Sequence, residues 1–277
     1  MEIMEIIKAI ILGLVEGLTE FAPVSSTGHM IIVDDMWLKS ADFLGRYPAN
    51  TFKIVIQLGS IFAVVVVFWR RFVDLLGLNQ FIRGKVNNTI QRLKLSQVIV
   101  GLIPAGIFGL LLEDFIDEHL FSTETVLIGL LLGAVLMIIA DKYASSVPNT
   151  TTVDQITYRQ ALSVGVIQCF SLWPGFSRSG ATISGGVLMG MSHRAAADFT
   201  FIMAVPIMAG ASGISLIKNW QYFSVDALPF FIAGFISAFI FALVSIKFFL
   251  KLIDRVKLLP FAVYRIVLVV IIYFLFF

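Results

Sequence analysis

The chain has 277 residues, 58% of them hydrophobic and only 14% charged, with a mean hydropathy of +0.95. Soluble domains run near roughly 45–50% apolar and about 25% charged, so a soluble fold of this size would lack the charge to cover its surface. Aromatic residues at 13% exclude disorder, the single cysteine, Cys169, excludes a disulfide-stapled secreted domain, and a net charge of +2 held in short loops gives no reason to expect nucleic acid.

What remains is an all-α, polytopic integral membrane protein, in which each spanning helix takes about 20 mostly apolar residues. The N-terminus, MEIMEIIKAIILG, carries Glu2 and Glu5 where a cleaved signal would be basic, so the first helix is expected to be retained. That helix covers residues 3–18, and a short apolar stretch covers 30–33. Between them lies EFAPVSSTGH, polar and broken by Pro23 and Gly28. A loop is expected over 34–50. Spans are then predicted at 51–69, 97–112, 123–140, 160–173, 198–217, 227–249 and 259–277. A second broken stretch, PGFSRSGATISGG, follows Trp173. The spans 123–140 and 259–277 are almost wholly apolar and read as lipid-facing scaffold. Non-helical backbone at membrane depth is tolerated only where it is buried in protein or lines a wet cavity.

The two broken stretches are related. A shift of 152 positions sets Glu16 on Gln168, Ser25 on Ser177, Ser26 on Arg178, Thr27 on Ser179 and Gly28 on Gly180; a shift of 149 sets Thr51 on Thr200. Charges agree. The segment after Trp69 carries Arg70, Arg71, Arg83, Lys85, Arg92 and Lys94 against Asp74 and reads as cytoplasmic, whereas its counterpart 218–226 is nearly neutral. Glu113, Asp114, Asp117 and Glu118 form an acidic turn suited to the outer face, while its counterpart 247–257 holds Lys247, Lys251, Arg255 and Lys257 against Asp254. Matching loops with opposite preferences imply halves inserted upside down, repeat 1 over about 1–120 and repeat 2 over about 153–277, joined by a span at 123–142 in one domain of 1–277. Matched interruptions in such repeats point to the binding site.

Three constellations carry chemistry. Glu16 and Glu20 share one helical face. In a membrane they need a cation, a proton or a basic partner: either they form a divalent-metal site (Mg2+ or Ca2+) or an acid/base pair, or the helix end simply reaches water. Ser25, Ser26, Thr27, Gly28 and His29 either hold a nucleophile near a base or cap the following helix. The third, Pro174–Thr182, places Arg178 among Gly175, Ser177, Ser179, Gly180 and Thr182. Its planar fork suits phosphate or carboxylate, and a helix beginning near Ser179 would turn its positive end to an anion; the alternative is a structural ion pair with Glu16 or Glu20.

On EGLTE, PVSSTGH and PGFSRSGAT together, the chain resembles the undecaprenyl-diphosphate phosphatase, or bacitracin-resistance, family over essentially its full length. The resemblance implies two re-entrant helix pairs, giving about six full spans and four half-helices of the kind inverted repeats use. It implies a multi-pass protein of the bacterial plasma membrane whose pocket opens to the outer side, with homodimers seen among members. The implied reaction is hydrolysis of undecaprenyl diphosphate to the monophosphate and inorganic phosphate, which recycles the carrier lipid for wall polymers. Glu16, Glu20, Ser26, His29 and Arg178 are the implied catalytic residues. Ser177, Ser179 and Thr182 fall in the phosphate-binding segment, with Ser25, Thr27, Gly175 and Gly180 as further candidates. On this reading His29 shuttles a proton, and Glu16 and Glu20 hold a divalent cation or tune Arg178 and His29; no organic cofactor is expected. The other class kept open is a transporter or flippase of a polyprenyl phosphate or other anion, which would bind without cleaving.

Overall fold

A computed structural model describes residues 3–78, 92–220 and 227–276. Arg83 and Lys85 of the basic segment, residues 221–226 of its neutral counterpart, and Glu2 lie outside the described residues. The described elements are helices: α1 (Ile3–Thr19), α2 (Ser26–Met30) running on as a π-helical segment (Ile31–Leu38), α3 (Ser40–Leu44), α4 (Arg46–Val67), α5 (Trp69–Leu75), α6 (Leu95–Leu111), α7 (Glu113–His119), α8 (Thr123–Lys142), α9 (Tyr158–Gln168), α10 (Arg178–Leu188), α11 (His193–Asn219), α12 (Leu228–Val256) and α13 (Leu259–Phe276). Helix starts are written in the sequence: Ser122, Thr157 and Ser192 each accept a hydrogen bond from the N–H three residues on. Among the described residues four helices are long and apolar enough to cross a membrane, namely α8, most of α4 and α11, and α12; α6 with α7, bent by 64°, makes a fifth candidate.

Without a hydrophobic drive between helices in lipid, close packing needs small residues. Gly13 and Gly17 put α1 directly against α12: a Cβ on Gly13 would stand 2.3 Å from the Gly234 carbonyl, and one on Gly17 would stand 2.5 Å from that of Ala238. The same contact recurs in the other half, where a Cβ on Gly165 of α9 would stand 2.3 Å from the Gly101 carbonyl of α6. Gly165 is the position 152 residues after Gly13. Thus α1 leans on α12 and α9 on α6, and α4 packs on both α12 and α11.

Polar contacts gather at the two ends. At one end Arg71 pairs with Asp154, Arg194 donates to the Leu250 carbonyl, and Asp141 accepts from His193 and from the N–H groups of Leu258 and Leu259. That end carries the arginines of α5 and the basic tail of α12. At the other, Lys218 pairs with the acidic Glu113.

Several expectations need correcting. Residues 34–50 are not a loop. Asp34 ends the π-helical segment by accepting from the Ser40 N–H and hydroxyl, both at 2.9 Å, and binds Lys53 at 2.9 Å, after which α3 and α4 begin. Its acids looked like loop residues because their partner, Lys53, lies far along the chain. The span at 160–173 is cut short: α9 ends at Gln168 and gives way to a 3-10 turn, Cys169–Leu172. The basic segment 247–257 is no loop either, since α12 runs to Val256 with Lys247, Lys251 and Arg255 exposed on it. Finally, 123–140 and 259–277 are more than scaffold. Both hold the second broken stretch in place.

Candidate functional site

The two interruptions become two hairpins whose tips meet. In each, a helix (α1 or α9) ends, the chain turns, and a second helix starts at a serine in the left-handed region: Ser25 at φ 71°, ψ 102° and Ser177 at φ 75°, ψ 116°. Each serine Oγ accepts from the N–H three residues on, Gly28 at 3.4 Å and Gly180 at 3.2 Å. A non-glycine residue at positive φ costs about 1–3 kcal/mol, and such strain concentrates at functional sites.

The tips are tied together by polar bonds. Arg178 Nη2 donates to Glu20 Oε1 at 3.0 Å, and Ser179 Oγ donates to the Ala22 carbonyl at 3.1 Å. Ser26 Oγ donates to the other oxygen of Glu20, Oε2, at 2.7 Å. Glu20 thus bridges a hydroxyl and a guanidinium, and both members of the ion pair are largely shielded, 8% and 14% exposed. The guanidinium also lies 5.8 Å from the centre of the Phe21 ring. Burial makes the pair costly to break from one side, by about 3–5 kcal/mol.

Of the residues expected from the sequence, Glu20, Ser25, Ser26, Thr27, Gly175, Ser177 and Arg178 line one cavity of about 260 Å3. The N-terminus of α10 opens on it and adds the positive end of a helix. Glu16 lies one turn behind Glu20 in α1, buried, with Oε1 lacking a protein partner among the described residues. His29 uses both ring nitrogens away from Ser26. Nδ1 meets the Ser25 carbonyl at 2.8 Å and must carry the hydrogen, so Nε2 accepts from the Tyr264 hydroxyl at 2.6 Å. Thr182 is buried, donating to the Arg178 carbonyl at 2.8 Å and accepting from Thr200 Oγ1 at 2.8 Å, which locks α10 to α11. Ser179 and Gly180 likewise stand in the first turn of α10 behind the cavity wall.

Other wall residues escaped the sequence reading: Gln57 of α4, Gln168 and Ser171. Gln168 carried a signal, being the position that the repeat sets on Glu16. Arg265 carried another, since a cation within a spanning segment marks a functional site by default. It is fully buried in α13 and donates through Nη2 to the carbonyls of Gly175 and Phe176 at 2.8 and 2.9 Å. Beside the polar cavity lies an apolar groove of about 350 Å3, lined by Phe115, Leu132, Cys169 and others, which shares Leu172 and Trp173 with it.

A divalent cation would find oxygen ligands of the right hardness in Glu16 and Glu20. Among the described residues no three His, Cys, Asp or Glu side chains gather, so two carboxylates are what the protein offers. Mg2+ commonly binds in this manner, completing its shell with water and substrate phosphates.

The chain is similar over its whole length to known proteins. The chain is 75% identical over 277 residues to an undecaprenyl-diphosphatase of Geobacillus sp. (strain WCH70), covering 100% of both chains. It is 65% identical to one of Exiguobacterium sibiricum over 97% of this chain and 96% of that one, and 60% identical to one of Staphylococcus aureus (strain MRSA252) over 100% and 97%. The profile described as bacitracin resistance protein BacA matches residues 9–271, and the chain belongs to that family.

Proposed function

We propose that this protein hydrolyses undecaprenyl diphosphate to undecaprenyl phosphate and inorganic phosphate. The observation that carries the reading is Glu20, bonded at once to Ser26 Oγ and to Arg178 on the wall of one cavity. Phosphoryl transfer asks chiefly for positioning and for positive charge around the transferred group. Arg178 and the start of α10 supply the charge. Ser26 attacks the terminal phosphorus, its proton passing to Glu20; the bond to the bridging oxygen breaks and the lipid monophosphate leaves. Water then cleaves the phosphoserine and releases phosphate. His29 steadies the Ser25–Ser26 turn through the Ser25 carbonyl. The apolar groove beside Leu172 and Trp173 suits the first part of the prenyl chain. Glu16 and Glu20 would hold a divalent cation, which would supply Lewis-acid neutralisation of phosphate charge. The protein works in the bacterial plasma membrane with its cavity open to the outer side.

Phosphate release by purified protein separates hydrolysis from carriage of an intact lipid. Ser26→Ala should abolish turnover, and rapid quench of the wild type should trap phosphate on Ser26. A Ser26→Ala enzyme with ordinary rates would remove the covalent step. Arg178→Lys should lose about 10²-fold or more, because a point charge cannot reproduce a planar fork.

A further inference from the structure

We infer that Arg265 is a positioning residue for the reaction, which fixes the Pro174–Ser177 turn from behind and thereby aims Ser177 and Arg178 at the terminal phosphate. The inference rests on the reading of that turn as the phosphate site. The turn itself is well defined: the Phe176 N–H donates to the Trp173 carbonyl at 3.1 Å, with Pro174 and Gly175 (φ 89°) at its centre, the type II pattern. Its next residue, Ser177, is again at positive φ. A turn with two such residues and no side-chain mass at Gly175 needs an outside support to stay in one conformation.

Arg265 is that support. It sits on α13, some ninety positions along the chain, and one amino group, Nη2, serves two successive carbonyls. In a trans peptide the C=O and N–H point in opposite directions. Holding the Phe176 carbonyl toward α13 therefore turns the Ser177 N–H away from α13, and Ser177 and Arg178 line the cavity. The seat is cut to fit. A Cβ on Gly133 of α8 would stand 2.3 Å from the Phe176 carbonyl and 2.5 Å from Arg265 Nη2, and one on Gly129 would stand 2.4 Å from the Pro174 carbonyl. Trp173 Nε1 is pinned to the Thr125 carbonyl of the same helix at 2.8 Å. A buried cation bonded mainly to neutral carbonyls is an expensive arrangement in lipid, and a helix meant only to face lipid has no use for it. The carbonyls it holds belong to the two residues directly before Ser177.

Phosphate release by detergent-purified variants, with folding followed by gel filtration and thermal melting, tests this. Arg265→Met should lower kcat by about 10²-fold, the cost of misplacing a catalytic group by about 1 Å. Arg265→Lys should recover much of that, since a single Nζ can serve both carbonyls that one Nη2 serves now; this is the opposite of the outcome expected for Arg178→Lys. In an Arg178→Ala background, Arg265→Met should cost well under tenfold further, because of the two residues it aims only Ser177 is left. A folded Arg265→Met enzyme with ordinary kcat, or a loss that multiplies in full on Arg178→Ala, overturns the inference. Should Arg265→Met fail to fold, Gly133→Ala disturbs the same seat with the cation kept, and an ordinary kcat there overturns it equally. A wild type that releases no phosphate would sink the functional reading instead. Arg265 would then be read by binding of methylene diphosphonate, expected to weaken about tenfold in Arg265→Met and, if unchanged, refuting its role.

Discussion

Glu20 has both oxygens engaged, one by Ser26 and one by Arg178, so its charge and its geometry can be separated by mutation. Glu20→Gln keeps the shape but cannot take a proton, and general-base assistance is worth about 10²–10⁴-fold. We expect phosphate release to fall by at least about 10²-fold. With a cation shared between Glu16 and Glu20, a chelator should silence the wild type and leave the residual rate of Glu20→Gln nearly unchanged; equal chelator sensitivity in both would take the cation away from Glu20. Glu20, Ser26 and Arg178 were legible in the sequence because each is chemically out of place within an apolar chain. Tyr264 and Arg265 were harder to see. They sit in a run of Val, Ile and Leu, and their partners, His29 and the Gly175–Phe176 carbonyls, lie far away in the chain. The pairing of Ser26 with Glu20 rather than His29 follows from how the turn at Ser25 folds back on α1, which spacing alone does not encode.

At the level of helices, the site depends on how closely α1 approaches α12. Gly17 lies between Glu16 and Glu20, and its Cα face meets the Ala238 carbonyl and the Ala242 N–H region of α12. A branched side chain there must push the helices apart and carry both glutamates with them. Gly17→Ile should lower the melting temperature and cost more than about tenfold in kcat. Gly106→Ala in α6 is the control, since nothing lies within 4 Å of the added Cβ, and it should melt and turn over like the wild type. A Gly17→Ile protein indistinguishable from Gly106→Ala would mean that the α1–α12 contact does not set the position of the acids. Helix existence was readable from hydropathy along most of the chain; helix ends were not. Lys251 and Arg255 stopped the reading at 249, yet α12 continues to Val256, because long cationic side chains can reach solvent without ending a helix. The π-helical segment Ile31–Leu38 was hidden for a related reason: Asp34 is satisfied by Ser40 and Lys53, not by solvent.

For the molecule as a whole, the duplicated contacts support an inverted repeat. Gly13 on Gly234 is matched by Gly165 on Gly101, and the turn at Ser25 by that at Ser177. The cavity is shared between the halves, with the acid and hydroxyl from one hairpin and the guanidinium from the other. Such a site must open to one side. Ala211 lines it, and α11 runs on from Ala211 to Lys218, which pairs with Glu113 at the acidic end; the arginine-rich end lies at the start of the same helix, near Arg194. By the positive-inside rule the acidic end is expected to face outward. An Ala211→Cys variant on a Cys169→Ala background should therefore react with a membrane-impermeant maleimide in intact cells, and undecaprenyl diphosphate should slow that reaction. Because Cys169 is the only native cysteine, any signal reports on the cavity mouth alone. Labelling that appears only after the cells are permeabilised would place the mouth on the cytoplasmic side, and the enzyme would then meet its lipid substrate from the opposite leaflet.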